Sequence, residues 1–147
     1  MGHAPIQFDR ASGALEGANL WERTAALALS TGSKISSHFS HRGYNRCANL
    51  LRLALPERDI AVKLNPDAVF EFPYGDGYWS KLLNRDYHYE DELELLFLGT
   101  VDVDYTFIDG GANYGYWSVL VSSAPYGSHK AIAIEPSSAN FAKLANN

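Results

Sequence analysis

A chain of 147 residues has room for one domain built around one core. With 46% hydrophobic and 20% charged residues it reads as a globular sequence, too apolar for a disordered chain and too mixed for a fibrous one. The net charge of -5 argues against a nucleic-acid partner, and the single cysteine, Cys47, excludes an internal disulfide or a cysteine-built zinc site, leaving a reducing cytoplasm as the default location.

Residues 1–18, with scattered Gly, Ala and Pro and few large apolar groups, predict a loose leader with little fold. No apolar run approaches the roughly 20 residues of a membrane span. The segment AALALS at 25–30 is too short and lacks the basic lead-in of a signal peptide. Apolar residues recur at helical spacing over 19–30 and again in YNRCANLLRLAL at 44–55, where Tyr44, Cys47, Ala48, Leu51 and Leu55 share a stripe; both segments predict short helices. Arg42, Arg46 and Arg52 read as the solvated side of the second. His38 and His41, three apart in SHFSH, have the spacing of two metal ligands but no third ligand nearby, which favours surface histidines.

After Pro56 the period changes. IAVKL and AVFEF alternate around Asn65, Pro66 and Asp67, the pattern of a β-hairpin. The aromatic segment PYGDGYWSKLL, with Tyr74, Tyr78 and Trp79, fits a loop packed on a core edge, or alternatively a lid over a ligand. YEDELELLFL at 89–98 returns to helical spacing with Tyr89, Leu93, Leu96 and Phe97 inward and its acids largely outward. The region from 19 to 98 is thus a helical and hairpin N-terminal part.

From 99 to 147 the order is strand, glycine turn, helix, strand, helix. YTFID at 105–109 is a compact apolar run ending in an acid, and glycines break it at once. Trp117, Leu120, Val121 and Ala124 supply a helical stripe that Pro125 and Gly127 close. KAIAIE at 130–135 is apolar up to its final acid, as expected of a strand covered on both faces. PSSANFAKLANN then opens a helix with Phe141, Leu144 and Ala145 inward. This is a βαβα unit with a right-handed crossover. A parallel sheet of two strands cannot bury both faces, so the expectation is an α/β fold, a Rossmann-like doubly wound sheet truncated after its second parallel strand and helix.

In such sheets, ligands lie beyond the carboxyl ends of the strands. Gly110 and Gly111 remove side chains and permit positive φ, so the main chain can approach a ligand closely, while Gly115 lets the helix start tight against the strand. A dinucleotide fits the loose G-x-[GA]-x-x-G form of GGANYG at 110–115, with its pyrophosphate over the helix N-terminus. S-adenosylmethionine fits an acid ending the strand, then small residues with glycines at alternate places, here Asp109, Gly111, Asn113 at the middle glycine position and Gly115, with Ala112 among them. Asp109 favours the second, because a carboxylate repels a pyrophosphate but attracts ammonium and sulfonium charges. Glu135 suits either ligand, since each carries a ribose diol. A tight turn with no ligand is the plainer alternative for the glycines alone; the ordered succession of strand, acid, turn, helix, strand and acid weighs against it.

FIDGGANYGYWS followed by AIAIEPSSANFAKLANN closely resembles the FkbM family of S-adenosylmethionine-dependent methyltransferases, whose motifs read approximately (I/V)D(V/I)GAN(I/L)G and AxEP. Gly110 replaces the usual aliphatic residue. The resemblance is strong over 105–147, fainter over 58–98, where YEDE at 89–92 is similar to the family's YExE, and does not reach the first 40 residues. It implies that Asp109, Gly111, Asn113 and Gly115 line the methionine part of the cofactor, that Glu135 holds the ribose and that Pro136 borders the adenine. It also implies O-methylation of a hydroxyl on a sugar, polyketide or lipid-linked glycan. The acceptor is thus a small molecule or glycan. The catalytic base is expected beyond Asn147, so the whole protein is expected to be the enzyme and this chain alone inactive. The rivals are an NAD(P)-dependent oxidoreductase or epimerase, and a non-catalytic module that binds a glycan or protein through Tyr74 to Trp79.

Overall fold

The computed structural model describes residues 4–147; residues 1–3 of the expected leader lie outside the described residues. The chain is α/β and forms two compact units, one made by residues up to Val62 with Phe72–His88, the other by Lys63–Glu71 with Tyr89–Asn147.

In the first unit, the expected loose leader is a strand pair. Strands β1 (Ile6–Asp9) and β2 (Leu15–Glu16) run antiparallel, with Phe8 opposite Leu15. Ile6 and Phe8 alternate with polar neighbours and are buried, a period of two that is too short to stand out among the flanking Gly and Ala. The Asp9 carboxylate takes the backbone N–H of Ala11 and Ser12 and turns the chain between the strands.

Helix α1 (Leu20–Ser37) opens on a capping box, in which Asn19 accepts from the Glu22 N–H and Glu22 accepts from the Asn19 N–H. It runs seven residues beyond the expected end at Ser30, through Gly32, and buries Ser33, whose hydroxyl lies 3.5 Å from Lys81 O. Helix α2 (Tyr44–Arg52) buries Tyr44 and Ala48 against α1, while Cys47 of the expected stripe is exposed. His38 is exposed and His41 half-buried, its Nδ1 3.0 Å from Ser36 Oγ.

Strands β3 (Asp59–Asn65) and β4 (Ala68–Pro73) form the expected hairpin and join β1 and β2 in a sheet of order β2-β1-β3-β4. The aromatic segment beyond it packs inward: Tyr74 and Trp79 are buried and the Tyr74 hydroxyl donates to Glu22 O at 2.5 Å. A 3₁₀ turn over Trp79–Leu83 lies against α1. Arg58 clamps Glu22 through Nη1, 3.2 Å and 3.3 Å from the two carboxylate oxygens, in a nearly dry setting.

The second unit draws in more of the chain than 99–147. The hairpin tip belongs to it: Asp67 accepts from the Ala124 N–H, Asn65 donates to Ser123 Oγ and Phe70 meets Tyr116 edge to face. So does helix α3 (Asp91–Leu98), whose Phe97 packs on Phe107 and Trp117. Leu93 and Leu96 of its expected inward stripe are exposed, while two acids are held by ring donors: Glu90, the exposed N-cap residue, accepts from Trp117 Nε1 at 2.7 Å and the half-buried Glu94 from the Tyr126 hydroxyl at 3.1 Å. The indole and phenol donors set that helix's rotation, a choice that apolar spacing does not record.

Strand β5 (Thr106–Gly110) pairs in parallel with β6 (Lys130–Ile134), Asp109 opposite Ala133. Helix α4 (Tyr116–Val121) lies between them in sequence and buries Trp117, Leu120 and Val121; it stops before Ala124, which is exposed in a separate 3₁₀ turn. Helix α5 (Ser138–Leu144) starts at Ser137, whose side chain caps it. The burial expected on both faces of β6 is found on neither, and only Ala131 and Ala133, on one side, are half-buried. Ile108, Ile132 and Ile134 are 65%, 45% and 55% exposed, because α4 covers only the side of the alternating residues. Phe141 and Ala145 of α5 are likewise exposed, and Leu144 is half-buried. Among the described residues, no helix is long and apolar enough to cross a membrane.

Candidate functional site

The carboxyl ends of β5 and β6 and the turn joining β5 to α4 bring together every residue singled out there. Gly110 is the last residue of β5 and keeps extended backbone, so its lack of a side chain, not a positive φ, is what the position uses. Gly111 has φ 78°, Asn113 φ 53° and Gly115 φ 88°. Asn is among the few side chains that adopt the left-handed region readily, which explains how it stands where a glycine is usual. A Cβ on Gly110 or Gly111 would meet nothing within 4 Å, so the turn presents bare main chain on an open side. Ala112 is buried and anchors the turn, and Pro136 is exposed just past Glu135.

Gly115 serves a different neighbour from the one expected. Its added Cβ would lie 2.5 Å from Leu144 Cδ1 of α5, so the close approach is to the second helix rather than to the strand.

The hydrogen bonds of the turn point inward. Gly111 and Ala112 donate their N–H to Ile134 O at 2.8 Å and 3.0 Å, and Gly115 donates to Ala112 O at 2.7 Å. The Asn113 N–H goes to Glu135 Oε2 at 2.8 Å. Glu135 Oε1 accepts from the Ser137 N–H, also at 2.8 Å. The two acids are therefore fixed from behind. Each Glu135 oxygen takes one backbone donor, and a carboxylate has about four acceptor positions, so the group can still receive two more donors from the open side. Asp109 Oδ2 accepts from Ser118 Oγ at 2.7 Å, which sets the rotamer of the acid from the first turn of α4.

No protein-family model matches this chain, and no curated protein and no solved structure is significantly similar to it.

Chemically, the arrangement offers two oriented carboxylates beside an uncovered glycine main chain. It suits a ligand with a cation and a pair of hydroxyl donors. It is poorly suited to an anion: the N–H groups of Gly111, Ala112, Asn113 and Gly115 are all used within the unit, α4 is short, and Asp109 is adjacent. Sequence reasoning missed Ser118, which orients Asp109, and the backbone N–H groups of Asn113 and Ser137, which orient Glu135. For Ser118 the available signal was a hydroxyl on the first turn of an otherwise apolar helix, directly after the glycine turn.

Proposed function

We infer that the second unit binds S-adenosylmethionine and that the chain serves an O-methyltransferase acting on a hydroxyl of a sugar, glycan lipid or polyketide, with β5 and β6 as strands of a Rossmann-like doubly wound sheet. The observation that carries this reading is that Asp109 and Glu135 stand at the ends of β5 and β6 beside a turn in which Gly111, Ala112 and Gly115 donate to backbone carbonyls and Asn113 to Glu135. The residues fit the group. Asp109, held by Ser118, takes the ammonium of the methionine part; the open side of Gly110 and Gly111 lets the main chain lie against it; Glu135 receives the ribose 2′- and 3′-hydroxyls on its remaining acceptor positions; Pro136 borders the base. The cofactor supplies a methyl group on a sulfonium. The work of these residues is to hold it in one orientation, since methyl transfer depends chiefly on placing the acceptor oxygen in line with that methyl. No residue of this chain is assigned as the base. The lone thiol, Cys47, is consistent with a reducing cytoplasm, which we include in the reading.

The dinucleotide alternative places a pyrophosphate at a turn where the N–H groups of Gly111, Ala112, Asn113 and Gly115 are already bonded within the unit and where the Asp109 carboxylate repels an anion. Calorimetric titration separates the two. S-adenosylhomocysteine saturates the protein at concentrations where NAD and NADP give no heat, and Glu135→Gln weakens the complex about tenfold or more, the loss of a hydrogen bond to a charged group. Preferential binding of NAD or NADP overturns the inference.

A further inference from the structure

The first unit contains an open cavity of about 730 Å³ that the reading above does not use. One wall is a single stripe of α1: Arg23, Ala26, Leu27, Ser30 and Lys34 recur at helical spacing and all line it. From Arg23 to Lys34 the stripe is roughly 16 Å long at 1.5 Å per residue. Its middle is apolar, and Leu27 is 69% exposed there. Phe8 and Leu15, which face each other across β1 and β2, and Leu83 extend the apolar floor.

The rim is basic. Four of the twelve Lys and Arg side chains of the protein line this cavity, against one of its seventeen acids, although the chain as a whole carries -5. That one acid, Asp86, is matched with Lys34 at 3.0 Å, and the Lys34 ammonium holds its carboxyl below the usual range, first by hydrogen bond and then by charge. Arg10, Arg23 and Arg85 add three guanidinium groups to the lining. Each donates to backbone carbonyls: Arg10 to Tyr87 O, Arg23 to Ala18 O and Arg85 to Arg10 O. Such bonds position a guanidinium without cancelling its charge, and each group has five donors. Strand alternation turns Asp9 and Glu16 away from the face that carries Phe8 and Leu15. Positive charge around a concave apolar wall focuses the field into the cavity.

We propose that this cavity binds a small anionic amphiphile, a phosphate or carboxylate group joined to an acyl or aryl body, with the anion at the arginines and the body along Leu27 and the floor of Phe8, Leu15 and Leu83. The volume lies within the range of small-molecule sites, and both halves of the ligand have a complementary surface. The assignment concerns the first unit alone and stands whether or not the second binds S-adenosylmethionine.

The probes are octyl phosphate below its micelle concentration, octanol and inorganic phosphate, each titrated into the intact protein by calorimetry and by amide NMR. Octyl phosphate binds at least tenfold more tightly than either fragment probe and shifts the amides of Gly13, Leu27 and Ser30. Arg23→Glu weakens octyl phosphate at least tenfold, whereas Arg42→Glu, a charge reversal at an exposed residue away from the cavity, does not. Leu27→Gln, at an exposed position that tolerates a polar side chain, weakens octyl phosphate but not inorganic phosphate. The proposal is overturned by equal binding of octyl phosphate and inorganic phosphate, by equal loss in the Arg23 and Arg42 variants, or by co-sedimentation with phosphatidylglycerol vesicles in place of saturable octyl phosphate binding.

Discussion

Glu22 has three partners at once: it closes the capping box of α1, receives Arg58, and its carbonyl accepts the buried Tyr74 hydroxyl. Its side chain is 1% exposed and that of Arg58 11%, so removing the carboxylate leaves a guanidinium nearly dry and without its counter-charge. Glu22→Ala is therefore expected to cost about 3–5 kcal/mol, the usual result of breaking one side of a buried pair. Urea denaturation measures it, and a loss below about 1 kcal/mol contradicts this account. Lys81 is the opposite case. It is 7% exposed, with its ammonium 4.4 Å from the Tyr78 ring centre, and burial lowers its pKa while Asp76 partly restores it. A lysine whose folded pKa is depressed is disfavoured by folding while charged. That penalty is complete below the folded pKa and disappears as the pH rises from there to the unfolded value. Lys81→Met should thus be at least as stable as the parent at pH 7, with the difference shrinking as the pH approaches 10. Thermal melts across that range test the sign, and a variant less stable at pH 7 shows that the tyrosine contacts outweigh the desolvation. Neither role was visible in the sequence. Glu22 was one acid of an expected helix, and Lys81 a cation in an aromatic loop; only the packing of distant segments made them buried.

Helices and strands were readable where one face alone governs the pattern. The β3–β4 hairpin and the succession β5, turn, α4, β6, α5 follow from alternation, glycine and apolar runs. Reading failed where a partner far along the chain decides. The apolar spacing of α1 ended at Ser30, but Ser33 is buried and α1 continues to Ser37; α3 looked as if it would bury Leu93 and Leu96, but both are exposed, and Trp117 and Tyr126 hold Glu90 and Glu94 by hydrogen bonds. The glycine turn lies between β5 and α4 where the sequence places it, but its geometry differs from the expected one, since Gly115 accommodates Leu144 rather than a strand. At φ 88°, an alanine there incurs left-handed backbone strain of about 1–2 kcal/mol. The contact with Leu144 Cδ1 involves the tip of a flexible side chain and adds less. Gly115→Ala should lower stability by that amount, and combining it with Leu144→Ala should reveal a coupling energy under about 0.5 kcal/mol in a double-mutant cycle. A large coupling assigns the glycine to the helix contact instead of to the turn.

The division of the chain into two units was the least accessible property of the sequence, because it cuts across the hairpin. Residues 63–71 belong with the glycine turn although residues 59–62 do not, and no composition shift marks that point. What the sequence did contain was the set of groups at the ends of β5 and β6, and the structure adds their orientation: Asp109 set by Ser118, Glu135 by two backbone N–H groups, and the N–H groups of Gly111, Ala112 and Gly115 bonded to backbone carbonyls. The central claim is that this open side holds S-adenosylmethionine. Amide NMR of the protein titrated with S-adenosylhomocysteine tests it residue by residue. The account predicts saturable shifts at Gly110, Gly111, Asn113, Gly115 and Glu135, with the amides of β1 and β2 unmoved; saturation by NAD at these residues, or no shift there at concentrations that saturate a methyltransferase, contradicts it.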